Sequence, residues 1–576
     1  MVSSRDVKPA AALALCLVAF GWIGGGFNAY ELGLYVIYGI ATQGVAMCWG
    51  RLGILSLGNA LFFGMGGYLC GAVMKAASAN ALWYFLAPAA LILPSALAYA
   101  IGRLLFSRTT RAGPYFSLVT LALSILAGLI AEQWTSATGG YNGMLGIPAL
   151  PGLDRYGSFY WIVVVAAVGS TWLITMLSSR PLGVVWRGIA QNEYRLQLYG
   201  YATDRTKAWA FALSAMLAAL AGALFALQQG LVTPQSVGFV LSTDFVIWAA
   251  VGGKSSALGS MLGAVGVGYA SMLLRQHFSE WEVVNGALFV AVVLYLPNGL
   301  ASLWRWRGAP RDVFGEVDSP PVDNSGPPLR LDLEGVHAGQ GGVRILNGLS
   351  LSLCGPGIRS VIGPNGAGKT STFNAISGQL KTREGRIVLD GVPIQGLEAW
   401  RIARRGIGRK FQIPTVFPDL CVADNLRLAL WAQRLHGFAW LRQGPQAWRT
   451  ELLDEILERF PILRQELGAR AGDISQGHRQ ALEFAMTMLP EPRLVLLDEP
   501  CAGLSPAETA HMAGSIRALV QRIGAAALLI EHDISAVAAM GGEVFVLHQG
   551  ALLAQGDLAR IQADPSVRGV YAGGSK

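Results

Sequence analysis

The stretch Ser360–Gly378, SVIGPNGAGKTSTFNAISG, orders a short β run, a glycine-rich turn and a helical run. It satisfies G-x-x-x-x-G-K-[ST] from Gly363 through Pro364, Asn365, Gly366, Ala367 and Gly368 to Lys369, Thr370 and Ser371. Glycines let successive backbone N–H groups close around phosphate oxygens at a helix N-terminus. Lys369 then neutralises the β and γ phosphates, and Thr370 offers a hydroxyl to Mg²⁺. Downstream, Arg493–Pro500, RLVLLDEP, is an apolar strand ending in two acids. Asp498 can hold the metal, directly or through water, and Glu499 is placed to polarise an attacking water. These elements predict an α/β P-loop ATPase domain over residues 330–576.

The rest of the chain has a different composition. Of 576 residues, 53% are apolar and 14% charged. Residues 1–311 hold 18 Lys and Arg against 9 Asp and Glu, whereas the remainder holds 26 against 27, so the net +8 comes from the apolar half. Basic residues beside apolar runs report membrane orientation rather than nucleic-acid binding. The six cysteines form no C-x-x-C pair and predict neither a disulfide framework nor a zinc site. MVSSRDVKPA and the apolar run after it lack a small-residue cleavage site and read as an uncleaved first helix.

A window of ~19 residues finds about ten candidate spans, near 9–28, 31–49, 53–74, 82–102, 114–133, 159–177, 208–228, 239–253, 257–274 and 284–304. The eighth, FVLSTDFVIWAAVGG, is short, carries Asp244 and ends in glycines, and reads as a broken or re-entrant helix. With the N-terminus in the cytoplasm, 15 basic residues fall inside, among them Arg51, Arg103, Arg108, Arg111, Arg305, Arg307 and Arg311. Three fall outside: Lys75, Arg155 and Arg275. That asymmetry predicts an even number of spans and both termini in the cytoplasm. Ser56, Asn59 and Asp244 are polar positions inside spans and candidates for lining a path. The glycines of GMGGYLCG (Gly64–Gly71) and GSMLGAVGVG (Gly259–Gly268) read as close helix packing.

Two connections matter. Gly308–Leu329, rich in proline, glycine and acids, is a linker between a membrane domain at 1–307 and the ATPase domain. Ser178–Lys207 is a long charged loop with a helix predicted over Val185–Leu198, whose Trp186, Ile189 and Ala190 would suit docking onto another domain.

Three more pieces extend the ATPase reading: Gln412 in GRKFQIPTVF, ISQGHRQALEFAM with Ser475 and Gly477, and LLIEHD, a strand run followed by His532. With the two earlier motifs, in this order, residues 330–576 resemble the ATP-binding cassette of ABC transporters. The resemblance implies ATP and Mg²⁺ as cofactors, and Gln412 as the residue that meets the γ-phosphate and metal and couples to the membrane part. It implies that His532 orients the reacting phosphate, and that Ser475 and Gly477 contact ATP held by a second, opposing cassette. CAGLS, Cys501–Ser505, stands where the family has its D-loop. The usual LSGGQ is ISQGH here, and no aromatic residue lies between Leu329 and Thr372 to stack on adenine, so the adenine contact is unassigned.

In the other half, GILSLGNALFFGMGGYLCG, PYFSLVTLAL, TGGYNGMLGIP and WAAVGGKSSALGSMLGA resemble the permease of bacterial ABC importers for branched-chain amino acids, urea and short amides. GRKFQIPTVF and VFVLHQG lean towards the urea branch. The resemblance implies a polytopic α-helical permease fused to its ATPase in the bacterial inner membrane. Its partners would be a second permease, a second cassette, membrane lipid and a periplasmic or external substrate-binding protein, with no nucleic acid. A membrane-tethered ATPase that carries no solute would need few spans. An exporter would need no binding protein.

Overall fold

The computed structural model describes residues 4–107, 113–275, 281–296, 298–303, 314–315, 317–322, 326–341, 343–442 and 444–572. Arg108, Arg111, Arg305, Arg307 and Arg311, and linker positions 308–313, 316 and 323–325, lie outside them. The chain divides into two compact units. The first is Met1–Ala190 with Thr203–Gly308; the second is Gln191–Ala202 with Ala309–Lys576.

The first unit is helical: α1 (Ser4–Ile23), α2 (Gly25–Leu52), α3 (Asn59–Ala79), α4 (Ala89–Phe106), α5 (Gly113–Gln133), α6 (Phe159–Ser179), the start of α7 (Pro181–Gln197), α8 (Thr203–Gln229), α9 (Phe239–Gly252), α10 (Ala257–Arg275) and α11 (Trp281–Tyr295). Helices therefore occupy all ten apolar segments, but among the described residues only six stretches are by themselves long and apolar enough to cross a bilayer. α9 and α10 pass that test as a pair bent by 116°, giving up to seven. The break expected in the eighth segment thus lies at its glycine end, after Gly252.

Burial sorts these helices. The most apolar windows of α2 and α8 are 72% buried, whereas those of α4 and α5 are 22% buried, so α2 and α8 form the interior and α4 and α5 the periphery. α8 packs against α2, α3 and α4, and small residues permit this. A Cβ on Gly222 would stand 1.8 Å from the Phe63 carbonyl oxygen, and one on Gly66 would stand 2.2 Å from that of Ala219. Backbone meets backbone there, the contact that only small residues allow.

Between α2 and α3 the chain leaves helical geometry over residues 53–58 while staying largely buried. Side-chain hydroxyls satisfy the freed backbone. Thr120 Oγ1 accepts from Leu57 N–H at 3.1 Å, and Ser242 Oγ accepts from Ala60 N–H at 3.0 Å. Non-helical backbone inside a bundle of apolar helices is tolerated only under such cover. Of the polar path candidates, Ser56 and Asn59 are buried at this break, Asn59 donating to Ser214 Oγ at 2.9 Å, and Asp244 is half-buried on α9.

In the second unit, β1 (Arg330–Gln340), β2 (Val343–Cys354), β3 (Gly357–Ile362), α12 (Lys369–Ile376), β4 (Thr382–Leu389), β5 (Ile407–Lys410), α13 (Val422–Trp431), α14 (Gln476–Met488), β6 (Leu494–Asp498), α15 (Pro506–Ile523), β7 (Ala526–Ile530), α16 (Ile534–Met540), β8 (Glu543–His548) and β9 (Ala551–Asp557) make two sheets. One has the order β9-β8-β3-β7-β6-β5, parallel except for β9. The other is antiparallel, β2-β1-β4 with the short strand Val392–Pro393. β5, β6 and β7 are buried at every position. That is why β6 and β7 read as near-continuous apolar runs rather than alternating ones, whereas β5 buries the charged Arg409 and Lys410. One core, including Leu331, Val361, Phe373, Ile387, Leu496, Leu528 and Phe545, joins the two sheets and α12.

The predicted helix Val185–Leu198 is real but interrupted: α7 departs from helical geometry at Asn192 (φ −152°, ψ 87°). Trp186, Ile189 and Ala190 belong to the first unit, and it is the polar stretch after them, Gln191–Ala202, that belongs to the second.

Candidate functional site

The parallel order places β3, β7 and β6 side by side, so that their C-terminal ends bring the loop 363–371, His532 and the Asp498–Glu499 pair together. Ligands of open parallel sheets bind at such an edge. The loop has the backbone its glycines were expected to supply. Gly366 has φ +82° and Gly368 φ +97°, and a Cβ on Gly363 (φ +152°) would meet the Leu547 carbonyl at 2.2 Å. Lys369 opens α12, and its Nζ donates to the carbonyls of Gly363 at 2.7 Å and Pro364 at 3.0 Å. Burial lowers the affinity of this amine for its proton, and the nearby Glu499 and Asp498 oppose that shift. Asn365, Gly366 and Thr370 are exposed.

Asp498 closes β6 and is 1% exposed. Burial raises its pKa, against the pull of Arg409, and the Thr370 side chain hydrogen-bonds to it. Its Oδ1 is buried with no partner, an acceptor prepared for a group from outside the chain. Glu499 follows with φ +44°, a conformation uncommon for a residue with a Cβ. Its own side chain is gripped from both sides. Oε1 lies 2.7 Å from His532 Nε2, and Oε2 accepts from Gln412 Nε2 at 2.8 Å. The structure thus brings together Gln412, Glu499 and His532, which stand far apart in sequence. It joins Thr370 to Asp498.

Ser475 and Gly477 are placed elsewhere. Ser475 caps α14, its Oγ accepting from His478 N–H, and His478 Nδ1 lies 3.2 Å from Glu466 Oε2. A Cβ on Gly477 would contact only Leu504 and Glu508. Among the described residues no hydrogen bond links Ser475 or Gly477 to the loop 363–371. The substituted signature ISQGH keeps its cap and its exposed first turn.

Sequence reasoning missed Glu483. It is fully buried on α14. Its Oε1 accepts from Phe411 N–H at 3.3 Å and from Thr415 Oγ1 at 2.9 Å, so it pins the chain on both sides of Gln412. The signal was there: one acid in the apolar run ALEFAM.

Against known proteins, residues 346–502 match the family model described as ABC transporter, and residues 29–293 match that of the branched-chain amino acid transport system permease component. A stretch of 250 residues, 42% of this chain, is 36% identical to the high-affinity branched-chain amino acid transport ATP-binding protein BraF of Pseudomonas aeruginosa, covering 97% of that protein. The chain belongs to the ABC transporter family. The corresponding protein LivG of Escherichia coli (strain K12) is likewise 36% identical over 249 residues and 97% covered. A nucleotide-free ATP-binding cassette from an ABC transporter is similar at 25% identity and a TM-score of 0.36, over 42% of this chain and 98% of that one. This ABC transporter chain therefore joins, in one polypeptide, a multi-pass permease part and a cassette that binds ATP and hydrolyses it to power transport.

Proposed function

We propose that the chain is the fused permease and ATPase subunit of an importer for branched-chain amino acids or chemically related small solutes such as urea and short amides, fed by an external binding protein. The observation that carries this reading is the permease match over residues 29–293, in a chain whose cassette is 36% identical to ATP-binding proteins of branched-chain amino acid transport. It favours branched-chain amino acids over the urea branch towards which GRKFQIPTVF and VFVLHQG lean. In this reading the ten apolar segments form the permease, residues 308–329 link it to the cassette at 330–576, and both termini are cytoplasmic.

The hydrolytic roles follow from the chain's own residues. Gly363–Ser371 binds the phosphates, with Lys369 as the counter-charge. Glu499 takes a proton from the attacking water, and Gln412 and His532 hold its carboxylate in place. Mg²⁺ fits the site, because the unpartnered Asp498 Oδ1, the Thr370 hydroxyl and the Gln412 amide are hard oxygen donors. Bound there, the ion would neutralise phosphate charge. Ser475 and Gly477 serve a nucleotide on a second cassette, so two cassettes, with a second permease, complete the assembly.

For Asp498→Asn we expect half-saturation by Mg²⁺ to need about 10–100-fold more metal, read from ATPase titrations. An unchanged Mg²⁺ dependence would remove Asp498 from the metal site. Substrate class is tested by thermal shift of the cognate binding protein with leucine, isoleucine, urea and acetamide. Stabilisation by leucine supports the amino-acid reading, and stabilisation by urea alone overturns it. Import direction requires that loaded binding protein raise the ATPase rate of the reconstituted complex. A rate indifferent to it would sink import.

A further inference from the structure

Gln191–Ala202 is joined by peptide bonds to helices of the first unit at both ends, yet it belongs to the second. It is held there by Arg404 Nε donating to Gly200 O at 2.8 Å, Tyr201 OH donating to Leu428 O at 2.7 Å and Asp419 N–H donating to Gln191 Oε1 at 2.8 Å. Within it, Arg195 is a charged side chain that is fully buried. Nη1 donates to the Arg409 carbonyl at 2.7 Å and lies 3.4 Å from Glu483 Oε1; Nη2 reaches Thr487 Oγ1 at 3.4 Å. The guanidinium also lies over the rings of Tyr199 and Phe411.

Glu483 is the point of convergence. Its carboxylate takes Arg195 on one side, Lys410 Nζ at 3.7 Å on another, and the two groups that bracket Gln412, Phe411 N–H and Thr415 Oγ1. It also sits on α14, the helix whose first turn carries Ser475 and Gly477. One buried acid therefore fixes both the segment that delivers Gln412 to Glu499 and the helix that presents the signature serine.

We propose that Arg195 is a positioning residue for ATP hydrolysis: it orients Glu483, and through Glu483 the Gln412 segment and α14 together. The proposal rests on the role given to Gln412 above. The bland alternative is an ion pair that only holds the fold. Geometry favours positioning, because the guanidinium spans three acceptors on two elements, β5 and α14, that carry different parts of the site. Lysine, a point charge, cannot span them.

The test measures ATPase kinetics and thermal midpoint of the full-length chain in its membrane complex. Arg195→Lys and Arg195→Met are each expected to lower kcat by about 10–100-fold with KM for ATP changed less than about 2-fold, the pattern of a misplaced catalytic group. Arg195→Met added to Gln412→Ala should slow turnover by a clearly smaller factor than Arg195→Met does in the unaltered chain. Unchanged kcat in Arg195→Lys, a parallel loss of thermal midpoint and kcat in both variants, or multiplying effects in the double variant would each overturn the proposal. Failure of the underlying reading shows separately, as full activity in Gln412→Ala alone, and that result would overturn the proposal with it.

Discussion

A Glu499→Gln variant should bind ATP, retain it through gel filtration and release phosphate about 10²–10⁴-fold more slowly, the range set by losing a general base, with solute uptake abolished. The substitution keeps the shape and one acceptor oxygen, so Gln412 Nε2, now 2.8 Å from the carboxylate, keeps a partner. What it removes is the basic oxygen, while the loop at Gly363–Ser371 and Lys369 are untouched. Nucleotide binding and turnover should therefore separate in one variant. Steady-state phosphate release and the nucleotide content of the purified complex measure the two, and unchanged turnover would refute Glu499 as the base.

How much of this could be read from sequence differs by element. The loop at Gly363–Ser371 declares itself, because its pattern sets glycines and lysine at fixed spacings on one strand–turn–helix, and Asp498 and Glu499 stand out as two acids at the end of a separate apolar strand. The sheet was equally plain, since β6 and β7 are parallel strands buried on both faces. Arg195 was not legible. Its partners include Thr487, 292 residues downstream, and no local pattern marks a residue whose counterpart lies that far away. The helix in the loop was read correctly as helix, but its apolar residues drew attention away from the polar stretch that enters the cassette. Among the described residues six helices meet the length and apolarity of a span by themselves. The sharp bend between α9 and α10 is the break that the short eighth segment, with its terminal glycines, signalled.

The second large effect is in the permease part. Gly222→Val should sharply reduce the folded yield of the chain and lower its thermal midpoint, with a destabilisation of at least about 3 kcal/mol, at or above the usual range for overpacking. Even the first added carbon would lie 1.8 Å from the Phe63 carbonyl oxygen and 3.1 Å from Gly67 N, so α3 and α8 would have to part. They cannot yield sideways cheaply, because α8 is also held by α2 and α4. Gly128→Val, where nothing lies within 4 Å of the added Cβ, is the control and should express normally. Size-exclusion chromatography in detergent with a thermal scan reads both. Equal behaviour of the two variants would show that the contact between α3 and α8 does not limit folding.

The division of the cassette unit into Gln191–Ala202 and Ala309 onward also sets an order in time. On the ribosome the small piece is made first, and the rest of its unit begins to emerge only roughly 100 residues later, on the order of 5–20 s at ~5–20 residues per second. Through that interval Arg195 has neither Glu483 nor Lys410 beside it, and Tyr199 and Tyr201 have no cassette to bury them. In the full chain the unit therefore draws on two stretches made at different times. Its completion is a closing event between early and late parts of one chain, and a cassette made without residues 191–202 would present an open seam where Arg195 now sits.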